Sequence, residues 1–324
     1  MATNPQALGW QLIEAARARI DGKVHKTPVL TSATLDAQAG AQLFFKCENF
    51  QKGGAFKARG ATNAVFALSD EVARRGVATH SSGNHAGALA RAARLRGIPA
   101  YIVMPDNTPL SKRAAVEREG AAITLCEPTQ AARERAAAEV LAATGAVMVH
   151  PYDDLAVMAG QGTVAIELLG QVADLDVLLA PVSGGGLLSG IAVAARTLRP
   201  QLRILGVEPA GADDAVRSLR AGRIVPCERP ETIADGLRAT VGVRPFAEIR
   251  RHVDDILTVP DAAIVGAMRA IWEVMKIIVE PSGATAYAAV AEGHADLQGK
   301  RVGVVLSGGN LDLETLPWIT PARG

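Results

Sequence analysis

"VLLAPVSGGGLLSGIAVAARTL", residues 177–198, decides how this chain folds. An unbroken apolar run over 177–182 leads into Ser183, Gly184, Gly185 and Gly186, and an aliphatic stretch with helical spacing begins at about Leu187. A short run that is apolar throughout suits a strand covered on both faces. Consecutive glycines let the backbone turn sharply and aim its N–H groups at a ligand. The helix N-terminus beyond them adds roughly half a positive charge. Such a site takes a phosphate without any lysine. The same glycines also serve a bare strand-to-helix turn, and the segment alone leaves both readings open.

Working outward, the same alternation recurs along the chain. Apolar runs at 41–47, 76–80, 99–104, 121–126, 202–208 and 300–306 read as further strands, and helical patterns cover 85–97, 110–120, 129–144, 157–171, 187–199 and 261–276. Apolar strands alternating with helices predict an α/β protein with doubly wound parallel sheet. No fixed-period repeat or low-complexity linker is visible. Turn signals near 69–76 and 150–156 suggest two crossings between domains. The expected division is a discontinuous large domain, 1–70 plus 152–324, and a small domain, 71–151. The ligand is expected in the crevice between them.

Composition narrows the function. The 324 residues are 49% hydrophobic and 21% charged with a net charge of +1, and the cationic residues are scattered. That balance offers no footprint for nucleic acid or a membrane surface, but it does not exclude a small anionic ligand. Cys47, Cys126 and Cys227 are isolated, with no CxxC or zinc-type spacing, which fits a reducing compartment. The N-terminus lacks a signal pattern and no apolar run reaches the length of a membrane span, so a cytoplasmic protein is expected.

Two further loops resemble the first in position. "THSSGNHAGALA" (79–90) follows a strand and opens a helix. Ser81, Ser82, Asn84 and His85, with their amides, suit a carboxylate; alternatively Ser82 or Asn84 merely caps the helix, worth about 1 kcal/mol. "VVLSGGNLDL" (304–313) sets Ser307 at a strand end beside Gly308, Gly309 and Asn310. "GGAFKARGA" (53–61) holds Lys57 between Phe56 and Arg59. No GxxxxGK[ST] is present, which disfavours a P-loop. Gly184, Gly186 and Gly190 give GxGxxxG rather than GxGxxG, so a dinucleotide site with Glu208 on the ribose is the weaker rival.

Taken in order, "KCENFQKGGAFKARGA" (46–61), "SSGNHAGALA" (81–90), "AGQGTVAIELL" (159–169), "PVSGGGLLSGIA" (181–192), "GVEPAGADDA" (206–215), "EPSGA" (280–284) and "LSGGN" (306–310) form one set. The set resembles the fold-type II pyridoxal 5′-phosphate enzymes of the serine/threonine dehydratase and serine racemase group, over nearly the whole chain.

The resemblance implies roles. Lys57 matches the Schiff-base lysine, which must be neutral to attack an aldehyde and later to act as a base; burial beside Phe56 favours that form. Phe56 would pack on the pyridine ring. Gly184, Gly185, Gly186 and Leu187 would hold the phosphate through amides, with the Ser183 hydroxyl adding to the cradle. Ser307 would meet the pyridine nitrogen and Asn84 the ring's 3-hydroxyl. Ser81, Ser82, Asn84 and His85 would hold the substrate carboxylate, and Arg133 matches an arginine of the substrate region. Ser82 matches the serine that faces Lys57 across the α-carbon in racemases. Glu208, the Ala212 carbonyl and Asp214 match a divalent-cation site whose oxygen ligands suit Mg²⁺ or Ca²⁺. A homodimer is the expected assembly.

The activity so implied is dehydration of a 3-hydroxy-α-amino acid to a 2-oxo acid and ammonia; serine racemisation, alone or alongside, is the alternative. A β-replacing synthase and a non-catalytic ligand binder are more distant rivals. Gly87, Ala55 and Ala239 stand where relatives carry larger or more polar residues. They predict a substrate bulkier or less polar than serine, with threonine, phenylserine and 3-hydroxyaspartate as candidates. Only a few residues follow "LSGGNLDL", so no C-terminal regulatory domain is expected.

Overall fold

The computed structural model describes residues 7–108, 110–294 and 296–318. The apolar runs form strands, and three short ones join them. In chain order they are β1 (Val29–Leu30), β2 (Gln42–Cys47), β3 (Val77–His80), β4 (Ala100–Pro105), β5 (Ala122–Cys126), β6 (Val147–Met148), β7 (Val177–Pro181), β8 (Arg203–Pro209), β9 (Asp255–Val259) and β10 (Arg301–Leu306). They make a six-stranded sheet in the order β1-β2-β10-β7-β8-β9 and a four-stranded sheet in the order β5-β4-β3-β6. Every pairing is parallel except β1 with β2.

The quoted stretch lies at the centre. All five residues of β7 are buried. Leu178 and Ala180 enter one core, with Ile204, Leu188 and Leu168; Val177 and Leu179 enter the other, with Leu205, Val304 and Tyr287. Period-two alternation with both faces apolar is what a sheet covered on both sides requires. Each fully buried leucine contributes about 1.5–3 kcal/mol. A third core lies under the four-stranded sheet, where Val77, Ile102 and Met104 meet Leu89 and several alanines of the helix Asn84–Arg96. Among the described residues no helix is long and apolar enough to cross a membrane.

One helical pattern is interrupted. The run expected over 261–276 is α-helical over Asp261–Ala270, then widens into a π-turn over Ile271–Met275 and stops at Lys276, whose φ is 60°. There the Trp272 indole donates to the Val279 carbonyl at 3.0 Å and stacks edge-to-face on Trp318.

The helices Leu155–Gln171 and Gly186–Leu198 cross almost backbone to backbone. A Cβ at Gly190 would lie 2.7 Å from the Gly162 nitrogen and closer still to the Met158 carbonyl oxygen. Backbone cannot yield as a side chain does. Gly190→Ala is therefore expected to destabilise the protein by about 1–3 kcal/mol, measured as a lower urea midpoint with an unchanged m-value.

Candidate active site

The C-terminal ends of β3, β7 and β10 open on one cleft of about 980 Å³. Lys57 reaches it as the first residue of the helix Lys57–Ala67. The loop before Lys57 is sewn to the loop after β10: Ala55 pairs with Gly308, and the Phe56 N–H donates to the Ser307 carbonyl at 3.0 Å. The Lys57 amine donates to the Pro151 carbonyl at 2.7 Å and lies 5.1 Å from the centre of the Phe56 ring. Withdrawal from solvent brings its pKa down from 10.5 to about 8. About a tenth is thus the free amine at pH 7, far more than for a lysine in water, and that is the form that attacks carbonyl carbon. Ser307 is buried, its hydroxyl donating to the Ser282 carbonyl at 3.4 Å.

The cradle after β7 has the geometry an anion needs. Gly185 has φ 89°, a conformation suited to glycine, and the helix starts at Gly186. A side chain at Gly184 would overlap the Tyr152 ring, so the peptide face itself borders the cleft. Leu187 completes the lining. The Ser183 hydroxyl stands just before the three glycines. It donates to the Ala239 carbonyl and accepts from the Ala239 N–H, both at 2.9 Å.

The loop at 81–85 also lines the cleft. Neither Ser82 nor Asn84 caps the helix: the N-cap is Gly83, with no side-chain hydrogen bond. The Asn84 amide instead donates to Glu280 at 2.8 Å and accepts from Asn310 at 2.9 Å. The Ser81 hydroxyl accepts from the Gly83 N–H at 3.4 Å. His85 is buried, and its Nε2 faces the Val149 carbonyl at 3.2 Å. Burial, then the charge of Lys57, lowers its pKa to about 3, leaving a neutral ring.

A stack of aromatic rings that no sequence motif announces also borders the site. His80 and His150 meet edge-to-face at 5.8 Å, and His150 meets Tyr152 in the same way at 4.5 Å. Burial and then His80 bring His150 to about 4. Burial, and then Arg133, lower His80. Arg133 itself comes from the helix Gln130–Thr144 and lines the cleft. The Glu280 carboxyl was also missed, although "EPSGA" contains it; burial, and then Asp235, raise its pKa to about 8. Of the small residues noted in the sequence, Ala239 lines this cleft and Gly87 a neighbouring cavity, while Ala55 is buried in the pairing with Gly308.

Glu208, Ala212 and Asp214 are brought together at the end of β8, and all three are buried. Glu208 accepts from the Val216 N–H at 2.8 Å and from Ala215 at 3.1 Å, and Asp214 accepts from Val241 at 2.8 Å. Burial raises Glu208 to about 8 and Asp214 to about 6, and the charge of Asp214 further raises Glu208. Two buried carboxylates that repel one another, with a buried backbone carbonyl nearby, are a hard-oxygen set that fits a divalent cation. No cluster of three or more His, Cys, Asp or Glu suited to a metal occurs among the described residues.

Comparison with known proteins agrees with this geometry. The family model "Pyridoxal-phosphate dependent enzyme" matches residues 20–308. The beta-hydroxyaspartate dehydratase of Paracoccus denitrificans is 50% identical over 304 residues, 94% of this chain and 96% of that protein. A serine racemase of Oryza sativa subsp. indica is 50% identical over 309 residues, 94% of this chain and 91% of that protein. The solved structure of maize serine racemase superposes with a TM-score of 0.94 at 48% identity, covering 96% of each chain. An amine held near neutrality, an amide-lined anion cradle and a buried serine thus meet in a chain that belongs to the fold-type II pyridoxal-phosphate dependent enzymes, in the serine racemase/threonine dehydratase family.

Proposed function

We propose that the protein is a dehydratase of 3-hydroxy-α-amino acids with an acidic side chain, 3-hydroxyaspartate being the simplest, giving a 2-oxo acid and ammonia. The observation that carries this reading is Arg133 on the same cleft as Lys57, beside the imidazoles of His80 and His150 and next to Glu134. A guanidinium on the cleft complements a carboxylate and offers little to an aryl or methyl side chain. The 50% identity to a beta-hydroxyaspartate dehydratase supports the same choice.

Bound pyridoxal phosphate supplies an aldehyde carbon to hold the substrate amine and a ring to take up the electron pair left at the α-carbon. The amides of 184–187 and the helix dipole behind them would hold its phosphate, Ser307 its ring nitrogen, Asn84 its ring oxygen, and Phe56 its face. Lys57 Nζ removes the α-proton, steadied by the Pro151 carbonyl. The loop at 81–85 orients the α-carboxylate. Lys57 Nζ then returns its proton to the departing β-hydroxyl, and hydrolysis of the released enamine gives the products. Ser82 lines the same cleft as Lys57, which supports racemisation as a second activity. The four strands of the smaller sheet fall within 77–148, which supports reading 71–151 as a separate small domain.

Three outcomes are expected. Ammonia release should be faster from 3-hydroxyaspartate than from serine, threonine or phenylserine, and Arg133→Ala should lower kcat/KM for 3-hydroxyaspartate by about tenfold or more; a preference for phenylserine would sink the reading. Loading of the apoprotein with pyridoxal phosphate, followed by visible absorbance, should accelerate as pH rises through about 8, where Lys57 loses its proton, and vanish in Lys57→Ala. Mg²⁺ or Ca²⁺ should raise Tm in the wild type by more than in Glu208→Gln, because a cation relieves the buried repulsion with Asp214.

A further inference from the structure

The substrate's α-carbon carries four groups, and the reading above places three of them: the amine on the cofactor, the proton at Lys57 and the carboxylate at the 81–85 loop. The fourth, the β-carbon, is left to the other polar side chains that line the cleft, among them His80, His150, Arg133 and Glu134.

His150 follows β6 and immediately precedes Pro151, whose carbonyl receives the Lys57 amine. Its Nδ1 accepts the Asp153 N–H at 2.9 Å and the Tyr152 N–H at 3.4 Å. Peptide N–H groups only donate, so Nδ1 carries no hydrogen and the ring hydrogen sits on Nε2. Edge-to-face contacts with His80 and Tyr152 fix the plane of the ring. The groups acting on it electrostatically are His80, Asp153, Lys57 and Arg244, and burial dominates them all in keeping it neutral. The ring is thus locked in one tautomer, with a single N–H to offer.

We propose that His150 is a specificity-determining residue that donates its Nε2 hydrogen to an oxygen on the substrate's β-carbon, a carboxylate above all; the proposal rests on the dehydratase reading. The donor persists across the neutral range because the ring does not titrate there. Arg133 provides the charge and His150 the direction. An aryl or alkyl β-substituent would leave the N–H unpaired in a half-buried wall, which penalises such substrates.

The test is the ratio of kcat/KM for 3-hydroxyaspartate to that for serine, measured on holoenzyme. Its wild-type value tests the substrate reading; its change on substitution tests His150. In His150→Phe the ratio should fall about tenfold or more, the loss expected for a hydrogen bond to a charged acceptor. In His150→Gln, which keeps an N–H, it should stay within about threefold of wild type. An unchanged ratio in His150→Phe overturns the proposal, whichever substrate the wild type prefers. Should that variant fail to fold, imidazole ¹⁵N spectra of the histidine-labelled wild type decide. A bare Nδ1 and a protonated Nε2 from pH 6 to 8 are expected; hydrogen on Nδ1 overturns it.

Discussion

Arg59 has no exposed surface, and the placement of Lys57 depends on what neutralises it. Its guanidinium grips Glu48 with two bonds of 2.8 Å and Glu167 with bonds of 2.6 and 2.8 Å, while Lys46 joins Glu167 at 2.7 Å. Two cations and two carboxylates close the set. Burial works against the Glu167 charge, but Arg59 and then Lys46 outweigh it and hold its carboxyl below the ordinary value. Removing one partner of such a buried pair typically costs about 3–5 kcal/mol. The cluster joins the end of β2, the helix Lys57–Ala67 and the helix Leu155–Gln171 at one point. The helix that begins with the reactive amine is therefore pinned two residues further on.

The cleft follows the opposite electrostatic rule. Lys57 is surrounded by His85 and His150, which burial keeps uncharged. Without a strong counter-ion, the amine loses its proton more readily than a lysine in water. Charge compensation at Arg59 and its deliberate lack at Lys57 occur on the same turn of helix. One arrangement fixes geometry; the other sets reactivity.

The sequence made the sheets legible because β7 and β10 are apolar on both faces, and it exposed the glycine cradle because only consecutive glycines so placed leave the peptide face open. Lys57 and Ser307 were legible through their neighbours. Other features were hidden for physical reasons. Glu48 and Glu167 meet Arg59 only in three dimensions, and charged residues read one at a time look solvated. The orientation of the Ser183 hydroxyl depends on Ala239, far along the chain. His80, His150 and Tyr152 carry no spacing that betrays a ring stack, since it forms where the ends of β3 and β6 come side by side. The short strands β1 and β6 are too brief for any periodicity to register, while β9 has an exposed first residue and only two buried positions.

The pairing of Ala55 with Gly308 has a further consequence. It ties the loop bearing Lys57 to the loop bearing Ser307, and both loops belong with the six-stranded sheet, as does the cradle after β7. The 81–85 loop after β3, the ring of His150 after β6, and Arg133 on the helix following β5 all hang from the four-stranded sheet. Most groups proposed to hold the cofactor and those proposed to select the substrate thus lie on different scaffolds, with Asn84 crossing between them.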